Sequence, residues 1–169
     1  MELSIRNKWV SLGESSVVQD MNGNDVMKVK GKVFSFTRKK TLTDLDGNVK
    51  YIVRNKFWRL FTYKAFVLDA NETVKATIRR KIFSLHDRYF VTSDLGEMEI
   101  VGNIFQFNYK ILLNGKQIGH VARKISLRDS FVLTVDDDCD YMFMTALVIA
   151  IDNITDRKDE NARSRSNSN

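Results

Sequence analysis

The stretch Val29-Lys30-Gly31-Lys32-Val33-Phe34 is one copy of a short pattern that recurs along almost the whole chain. The pattern consists of a β-branched aliphatic residue, two mostly polar residues, a Lys, a large apolar residue and usually an aromatic one. The Lys position, called the anchor below, falls at Lys8, Lys32, Lys56, Lys81, Asn103 and Lys124. Successive anchors are 24, 24, 25, 22 and 21 residues apart. The chain is therefore an internal repeat, and its fold follows from the repeated unit.

Apolar and cationic residues alternate through each copy. An aliphatic residue stands three positions before the anchor and a second apolar residue one position after it, whereas the position two before is mostly Arg or Lys. The leading aliphatic residues are Ile5, Val29, Val53, Ile78, Ile100 and Val121. Because successive side chains of a strand point to opposite faces, this period predicts a half-buried strand with apolar groups on one face and cations on the other.

Turn-forming residues lie roughly midway between the anchors. They are Asn22-Gly23, Asp46-Gly47, Asn71-Glu72, Gly96 and Asn114-Gly115. Asn-Gly and Asp-Gly suit the positive φ angles of tight hairpin turns, so each unit is interpreted as strand, turn, strand. The repeated units together predict about twelve antiparallel strands.

Composition limits the architecture and the setting of the chain. With 169 residues, 43% of them hydrophobic, it can bury one sizeable core, and no linker interrupts it before residue 155, so a single domain over residues 1–154 is predicted. The absence of proline suits paired strands, in which each missing N–H weakens a ladder. Cys139 is the lone cysteine and there is no apolar N-terminal leader, which favours a reducing, cytoplasmic location.

An apolar segment without turn residues follows the last predicted strand. It extends from Tyr141 to Ile154 and comes directly after Asp136-Asp137-Asp138-Cys139-Asp140, whose carboxylates suit a helix N-terminus. A helix of this length extends roughly 21 Å, which is too short for a membrane span of about 20 apolar residues. A helix that is hydrophobic on every side needs apolar neighbours on every side.

These elements combine into one predicted fold. A closed barrel of about twelve strands leaves a lumen wider than its own side chains fill, and a threaded central helix is a known solution. We therefore predict a mainly β fold, a β-barrel of antiparallel hairpins closed around the helix at about residues 141–154. The polar residues 155–169 lack the apolar content to fold and are predicted to be a disordered tail.

The residues that carry the repeat also resemble a known family. Lys30–Phe36, Arg80–Leu85, the turn Asp46-Gly47-Asn48 and the closing Leu147–Asp152 look like the LURP-one-related (YxjI-like) proteins, which belong to the wider Tubby C-terminal-like group together with phospholipid scramblases. The resemblance covers roughly residues 3–154. It implies a twelve-stranded barrel around a central helix. Because Tubby domains bind phosphoinositides through basic side chains, it also favours phospholipid headgroups as ligands.

Charge is the residue-level indication of function. Lys and Arg number 27 against 21 Asp and Glu, a net charge of +6, and the excess lies beside the anchors. The candidate ligand-binding residues are Lys30, Lys32, Arg54, Lys56, Trp58, Arg79 and Lys81. We expect alternate strands to bring some of these cations to one rim, whose field would attract anions. Three interpretations stay open: an ordinary solvated face, a surface for anionic phospholipid or a membrane-associated partner, and a less favoured nucleic-acid-binding surface.

Aromatic residues follow four of the anchors by two positions. They are Phe34, Trp58, Phe83 and Phe105. Either these rings fold over the barrel mouth, or they form an exposed belt beside the cations that suits an interfacial lipid contact. The tract from Lys56 to Lys64 is the densest mixture of rings and cations, so it is the first candidate for a membrane or partner surface.

Catalytic and metal chemistry has little support in the sequence. His86 and His120 lie in different hairpins without a repeated partner, and Ser35 and Ser84 occupy equivalent repeat positions, which favours a structural role. The acidic run before the helix lacks the spacing of a calcium loop, and its carboxylates disfavour the thiolate of Cys139. We expect a non-enzymatic protein without a cofactor or a bound metal. The alternative is an enzyme or accessory protein with its site at the barrel mouth.

Overall fold

The computed structural model describes residues 1–6, 15–31, 39–55, 64–80, 88–123 and 130–166 of the chain. In these residues the backbone forms twelve strands and one helix. The strands are β1 (Glu2–Arg6), β2 (Ser15–Asp20), β3 (Asp25–Gly31), β4 (Lys40–Thr43), β5 (Val49–Asn55), β6 (Lys64–Asp69), β7 (Val74–Arg80), β8 (Arg88–Ser93), β9 (Gly96–Asn103), β10 (Asn108–Leu113), β11 (Lys116–Arg123) and β12 (Ser130–Val135), and the helix is α1 (Tyr141–Ser166).

The strands form a closed antiparallel barrel in which each strand pairs with its neighbours in the sequence. The first and last strands complete the ring, since β1 pairs with β12 along its whole length, with Glu2 opposite Thr134. On its other side β1 pairs with β2, where Leu3 lies opposite Asp20. The predicted fold class, a barrel of twelve antiparallel strands closed around a C-terminal helix, is confirmed.

The alternation predicted from the repeat is present in the strands. The aliphatic residues three positions before the anchors are all fully buried: Ile5, Val29, Val53, Ile78, Ile100 and Val121. The residues that follow two of them, Lys30 on β3 and Arg79 on β7, are exposed. The anchor Asn103 is the last residue of β9. The other anchors, Lys8, Lys32, Lys56, Lys81 and Lys124, lie outside the described residues. The ends of these strands are called the anchor end of the barrel below.

The five predicted turns all connect paired strands. Two of them have the same hydrogen bonds. Asp20 Oδ1 accepts a bond from the backbone N–H of Asn24 at 2.9 Å, and Asp44 Oδ1 accepts one from Asn48 at 2.8 Å. The side-chain amide of each Asn also donates to the same carboxylate, at 2.9 Å in both turns. These bonds, with the side-chain bond from the Asn as the largest cause, lower the pKa of Asp20 and of Asp44.

We expect these two turn aspartates to make the fold sensitive to acid. Because their pKa in the folded chain lies below the unperturbed value of about 3.9, ionised Asp20 and Asp44 stabilise the fold above that pH. The contribution is lost as the pH falls through the folded pKa. The urea midpoint of unfolding should therefore decline as the pH falls below about 4. In the double variant Asp20→Asn, Asp44→Asn the midpoint should be lower at neutral pH and should fall less steeply. Parallel declines in the two proteins would contradict this.

Helix α1 passes through the lumen of the barrel. Asp140 caps its N-terminus, because Oδ1 accepts hydrogen bonds from the N–H groups of Met142 at 2.8 Å and Phe143 at 3.1 Å. Every residue from Met142 to Ile154 is buried, as predicted for a helix that is apolar all round. Among the described residues, α1 included, no helical segment has the length and hydropathy of a bilayer span.

The helix continues beyond the end predicted from the sequence. The prediction placed its end at about residue 154 and a disordered tail at 155–169, whereas the backbone is helical to Ser166. The physical reason is that extending a helix costs far less than starting one. The segment 155–166 also contains helix-favouring Arg, Lys, Glu and Ala and neither Pro nor Gly. Residues 167–169 lie outside the described part of the chain.

The enclosure of α1 makes its central residues intolerant of charge. Val148 is fully buried, and an Asp in its place would leave an unpaired charge in apolar surroundings. We expect Val148→Asp to lower the free energy of unfolding by about 4 kcal/mol or more, a large part of the stability of an ordinary domain. The control Val148→Ala should stay folded with a loss of about 2 kcal/mol. Thermal unfolding followed by circular dichroism measures both. A Val148→Asp protein with wild-type stability would contradict the enclosure.

Candidate anion-binding surface

Cations from consecutive strands lie side by side on the outside of the barrel near its anchor end. They are Lys30 on β3, Lys39 directly before β4, Arg54 on β5, Lys64 at the start of β6 and Arg79 on β7, and they are called the cationic row below. Lys30 and Arg79 are exposed, and the other members are half-buried. Because each strand sends its aliphatic residues into the barrel, alternation places these charged groups on the outer face.

Glu72, in the turn between β6 and β7, joins two members of the row. Its Oε1 accepts a hydrogen bond from Lys39 Nζ, and its Oε2 accepts one from Arg54 Nη2, both at 3.3 Å. The hydrogen bond from Lys39 and then the charge of Arg54 lower the pKa of Glu72. Lys30 lies next to this group, since it is opposite Thr41, two residues after Lys39. This part of the row is therefore a cluster of cations around one carboxylate.

Two further members of the row face each other across β6 and β7. Lys64 is the cross-strand partner of Arg79, and like charges in directly opposite positions destabilise a sheet. In the described part of the chain neither side chain forms an ion pair with a carboxylate. Arg54 lies close by, because it is opposite Phe66, two residues along β6 from Lys64. An external anion between Lys64 and Arg79 would relieve their repulsion.

Half-buried aromatic rings flank the Lys64–Arg79 pair. Phe66 lies two residues from Lys64 on β6, and Phe90 on β8 is the other cross-strand partner of Arg79. Rings beside cations are a combination typical of membrane interfaces. Among the aromatic residues that follow anchors, Phe105 belongs to the described residues and is 43% exposed. That ring therefore lies at the surface of the β9–β10 turn.

The opposite side of the barrel wall has a different charge. The outward residues of β9 include Glu97 and Glu99, and β1 adds Glu2. Lys110 on β10 faces His120 on β11. Among the described strands, cations lie more densely on β3–β7 than on β9–β12. Such an uneven distribution is typical of a surface that attracts an anionic partner.

The structure brings together part of the binding set predicted from the sequence. Lys30, Arg54 and Arg79 belong to the cationic row, on alternate strands as the repeat predicts. The other predicted binding residues, Lys32, Lys56, Trp58 and Lys81, lie outside the described residues. The same holds for most of the tract from Lys56 to Lys64, of which only Lys64 is described.

Two members of this surface, Lys39 and Glu72, were not predicted, whereas Lys64 is the last residue of the tract predicted as a membrane or partner surface. Lys39 stands directly before a returning strand and Lys64 at the start of one, so a cation at that position is the signal that would have identified Lys39. For Glu72 no such signal exists, because it contacts Lys39 and Arg54 through the strand register. The side chains of Lys39 and Glu72 meet although the residues are 33 positions apart in the sequence.

A second polar group lies inside the barrel near the anchor end. Lys40 on β4 and Asp152 on α1 are 8% and 7% exposed, and Lys40 Nζ lies 3.9 Å from Asp152 Oδ2. Asn55, the last residue of β5, is also buried. Tyr109 is buried on β10, and its burial, followed by the charge of Asp152, raises its pKa. The ion pair connects the helix to the barrel wall.

The residues considered for catalysis are not brought into one site in the described part of the chain. His120 Nε2 lies 3.4 Å from Asn108 Oδ1 on the outer face. Cys139 is half-buried near Asp136 and Asp138, and its burial, followed by these two charges, raises the pKa of the thiol. His86, Ser35 and Ser84 lie outside the described residues. Within the described ranges no group of His, Cys, Asp and Glu is arranged to hold a metal ion.

Removing one partner of the buried ion pair should destabilise the fold. In Lys40→Met the buried carboxylate of Asp152 loses the cation of Lys40, so the free energy of unfolding should fall, by at most the roughly 3–5 kcal/mol that breaking a buried pair costs. The double variant Lys40→Met, Asp152→Leu removes both charges and should recover most of that loss. Urea unfolding measures both proteins. If the single and double variants lose the same stability, the pair is not the interaction that holds the helix.

Comparison with known proteins supplies a family. The family model described as LURP-one-related matches residues 1–152. A curated relative, "Protein LURP-one-related 15" from Arabidopsis thaliana, is 23% identical over 175 residues, and the match covers 91% of this chain and 80% of that protein. The X-ray structure of an Arabidopsis thaliana protein is similar with a TM-score of 0.63 and 20% identity, covering 91% of this chain and 90% of that one. At this identity the structural similarity shows the fold alone.

Proposed function

The chain belongs to the LURP-one-related family, and from that premise we propose that it is a non-enzymatic binding module for anionic phospholipid headgroups. The observation that carries the proposal is the cationic row. Its strongest part is the direct opposition of Lys64 and Arg79, which form no ion pair with a carboxylate in the described residues. Such an arrangement costs the free protein energy and becomes favourable once an anion is bound.

The size of the expected attraction supports a reversible membrane contact. A basic residue near an anionic membrane surface contributes about 1 kcal/mol. Lys30, Lys64 and Arg79 are the members of the row that have no carboxylate partner in the described part of the chain. Three such contributions correspond to roughly a hundredfold in affinity. Phe66 and Phe90 add apolar surface beside these charges.

The position of the row supports attachment at the membrane surface. It lies on the outer wall of the barrel, while the lumen is filled by α1. A ligand can therefore bind on this wall from the solvent, and the barrel does not have to open for it. The proposed location is the cytoplasmic leaflet of a membrane, because anionic lipids give that surface its negative potential.

The test is co-sedimentation with vesicles. Wild-type protein should be recovered with vesicles that contain anionic phospholipid and much less with neutral vesicles. Recovery should weaken as salt rises above about 0.1 M, where the screening length is about 10 Å. The triple variant Lys30→Ser, Lys64→Ser, Arg79→Ser should bind at least about tenfold more weakly, because it loses the unpaired cations of the row.

The matched control removes equal charge from the other side of the barrel. It is Lys110→Ser, Lys116→Ser, Arg123→Ser, all exposed residues of β10 and β11. This control should keep most of the binding. Equal recovery with anionic and neutral vesicles, or an equal loss in both triple variants, would exclude a lipid surface at the row. Tighter binding to a single-stranded RNA oligonucleotide than to any vesicle would favour nucleic acid instead.

A further inference from the structure

Three tight turns of the barrel share one construction. In each, an Asp accepts a hydrogen bond on Oδ1 from the backbone N–H four residues later, at 2.9 Å for Asp20, 2.8 Å for Asp44 and 2.9 Å for Asp69. The carbonyl of the same Asp accepts a bond from the N–H three residues later. The residues at that third position are Gly23 with φ +85°, Gly47 with φ +92° and Glu72 with φ +61°.

Glu72 therefore stands where the two equivalent turns have glycine. Positive φ is unfavourable for a residue with a Cβ and costs glycine nothing. The side chain of Glu72 reaches Lys39 and Arg54, with one carboxylate oxygen bound to each at 3.3 Å. Glu72 is exposed, and exposed ion pairs contribute little to stability. Stability alone does not account for a Glu at this position.

We infer that Lys39 and Arg54 form a subsite for a phosphomonoester group, and that the carboxylate of Glu72 occupies this subsite in the free protein. The inference rests on the proposed function and specifies its ligand. The two oxygens of Glu72 bind the two cations separately, as two oxygens of a phosphate group would. Lys30 lies beside the same group and offers a further donor.

The charge of the headgroup decides which ligand can displace Glu72. Glu72 carries one negative charge and is tethered at the subsite, so it has a high effective concentration there. A phosphodiester also carries a single charge and gains little by the exchange. A phosphomonoester carries about −1.5 to −2 at pH 7 and has three acceptor oxygens. Displacing Glu72 costs the same free energy for either headgroup, so only the phosphomonoester headgroup, which binds Lys39 and Arg54 more strongly, gains appreciably at this subsite at the same surface charge.

The experiment compares the full chain with Glu72→Gln. Both proteins are co-sedimented with phosphatidylcholine vesicles that contain either phosphatidic acid, a phosphomonoester lipid, or phosphatidylglycerol, a phosphodiester lipid, at equal surface charge. Wild-type protein should bind the phosphatidic acid vesicles more tightly. Glu72→Gln should bind them roughly threefold to tenfold more tightly than wild type, the range that corresponds to losing the competing ion pairs.

The control variant is Asp94→Asn. It removes the same charge from a comparable exposed pair, in which Asp94 Oδ2 lies 3.0 Å from Lys75 Nζ, away from the cationic row. This variant should bind nearly as wild type does. Equal gains in Glu72→Gln and Asp94→Asn would reflect net charge and overturn the inference while the proposed function stands. Equal binding of wild type to the two lipids would overturn the phosphomonoester preference. Failure of wild type and Glu72→Gln to bind any anionic vesicle would overturn the proposed function as well.

A second variant, Glu72→Gly, checks that the turn remains folded. Glycine suits the φ of this position, so the melting temperature of Glu72→Gly should be at least that of wild type. Its binding to phosphatidic acid vesicles should match that of Glu72→Gln. Wild-type binding by both variants would again overturn the inference.

Glycerol 3-phosphate distinguishes a lipid from a soluble source of the same group. If glycerol 3-phosphate competes only weakly with phosphatidic acid vesicles for the protein, a lipid headgroup is supported as the ligand. If it binds without vesicles as tightly as phosphatidic acid vesicles do, the subsite is supported and the membrane source is overturned.

Discussion

The burial of α1 inside a closed barrel is the constraint on which the rest of the structure depends. Every residue from Met142 to Ile154 is buried, and a helix without a polar face is stable only where apolar side chains surround it. Each strand must therefore send an aliphatic residue inward at every second position, as Val29 and Ile78 do. The cations between these positions have only the outer face left to them. The packing of the helix is therefore enough to place Lys30 and Arg79 on the outer wall, without any ligand.

The closed antiparallel barrel also places cations of adjacent strands next to each other. The repeat sets a cation after the buried aliphatic residue of an outgoing strand, and antiparallel pairing brings the start of the adjacent returning strand beside it. Lys64 thus lies opposite Arg79, at a cost on the order of 0.2–1 kcal/mol. The neighbouring cations Lys39 and Arg54 avoid that cost because Glu72 lies between them. One part of the row is therefore partly neutralised by a carboxylate of the chain, and the other part is open to an external anion.

Glu72 belongs to one repeated feature of the chain, the turn construction, and contacts another, the cations of the anchor end. The turn construction repeats at Asp20, Asp44 and Asp69, and the cations repeat at the anchor end. The side chain of Glu72 connects a turn at one end of the barrel to residues near the other end. Glycine at this position, as in the two equivalent turns, would leave Lys39 and Arg54 without this carboxylate. The identity of a single turn residue thus changes the charge that the outer wall presents.

The sequence by itself determined the strands, the turns and the buried helix. These depend on local signals: a two-residue period, Asn-Gly and Asp-Gly at positive φ, and an apolar segment after capping carboxylates that include Asp140. The structure alone decided that the helix continues to Ser166 and that Lys39 and Glu72 join the surface. Their proximity depends on strand register, which couples residues far apart in the chain and is set by how the whole barrel closes around its helix. No local pattern carries that information, so the placement of Lys30, Arg54 and Arg79 on alternate strands was predictable, and the contacts of Glu72 were not.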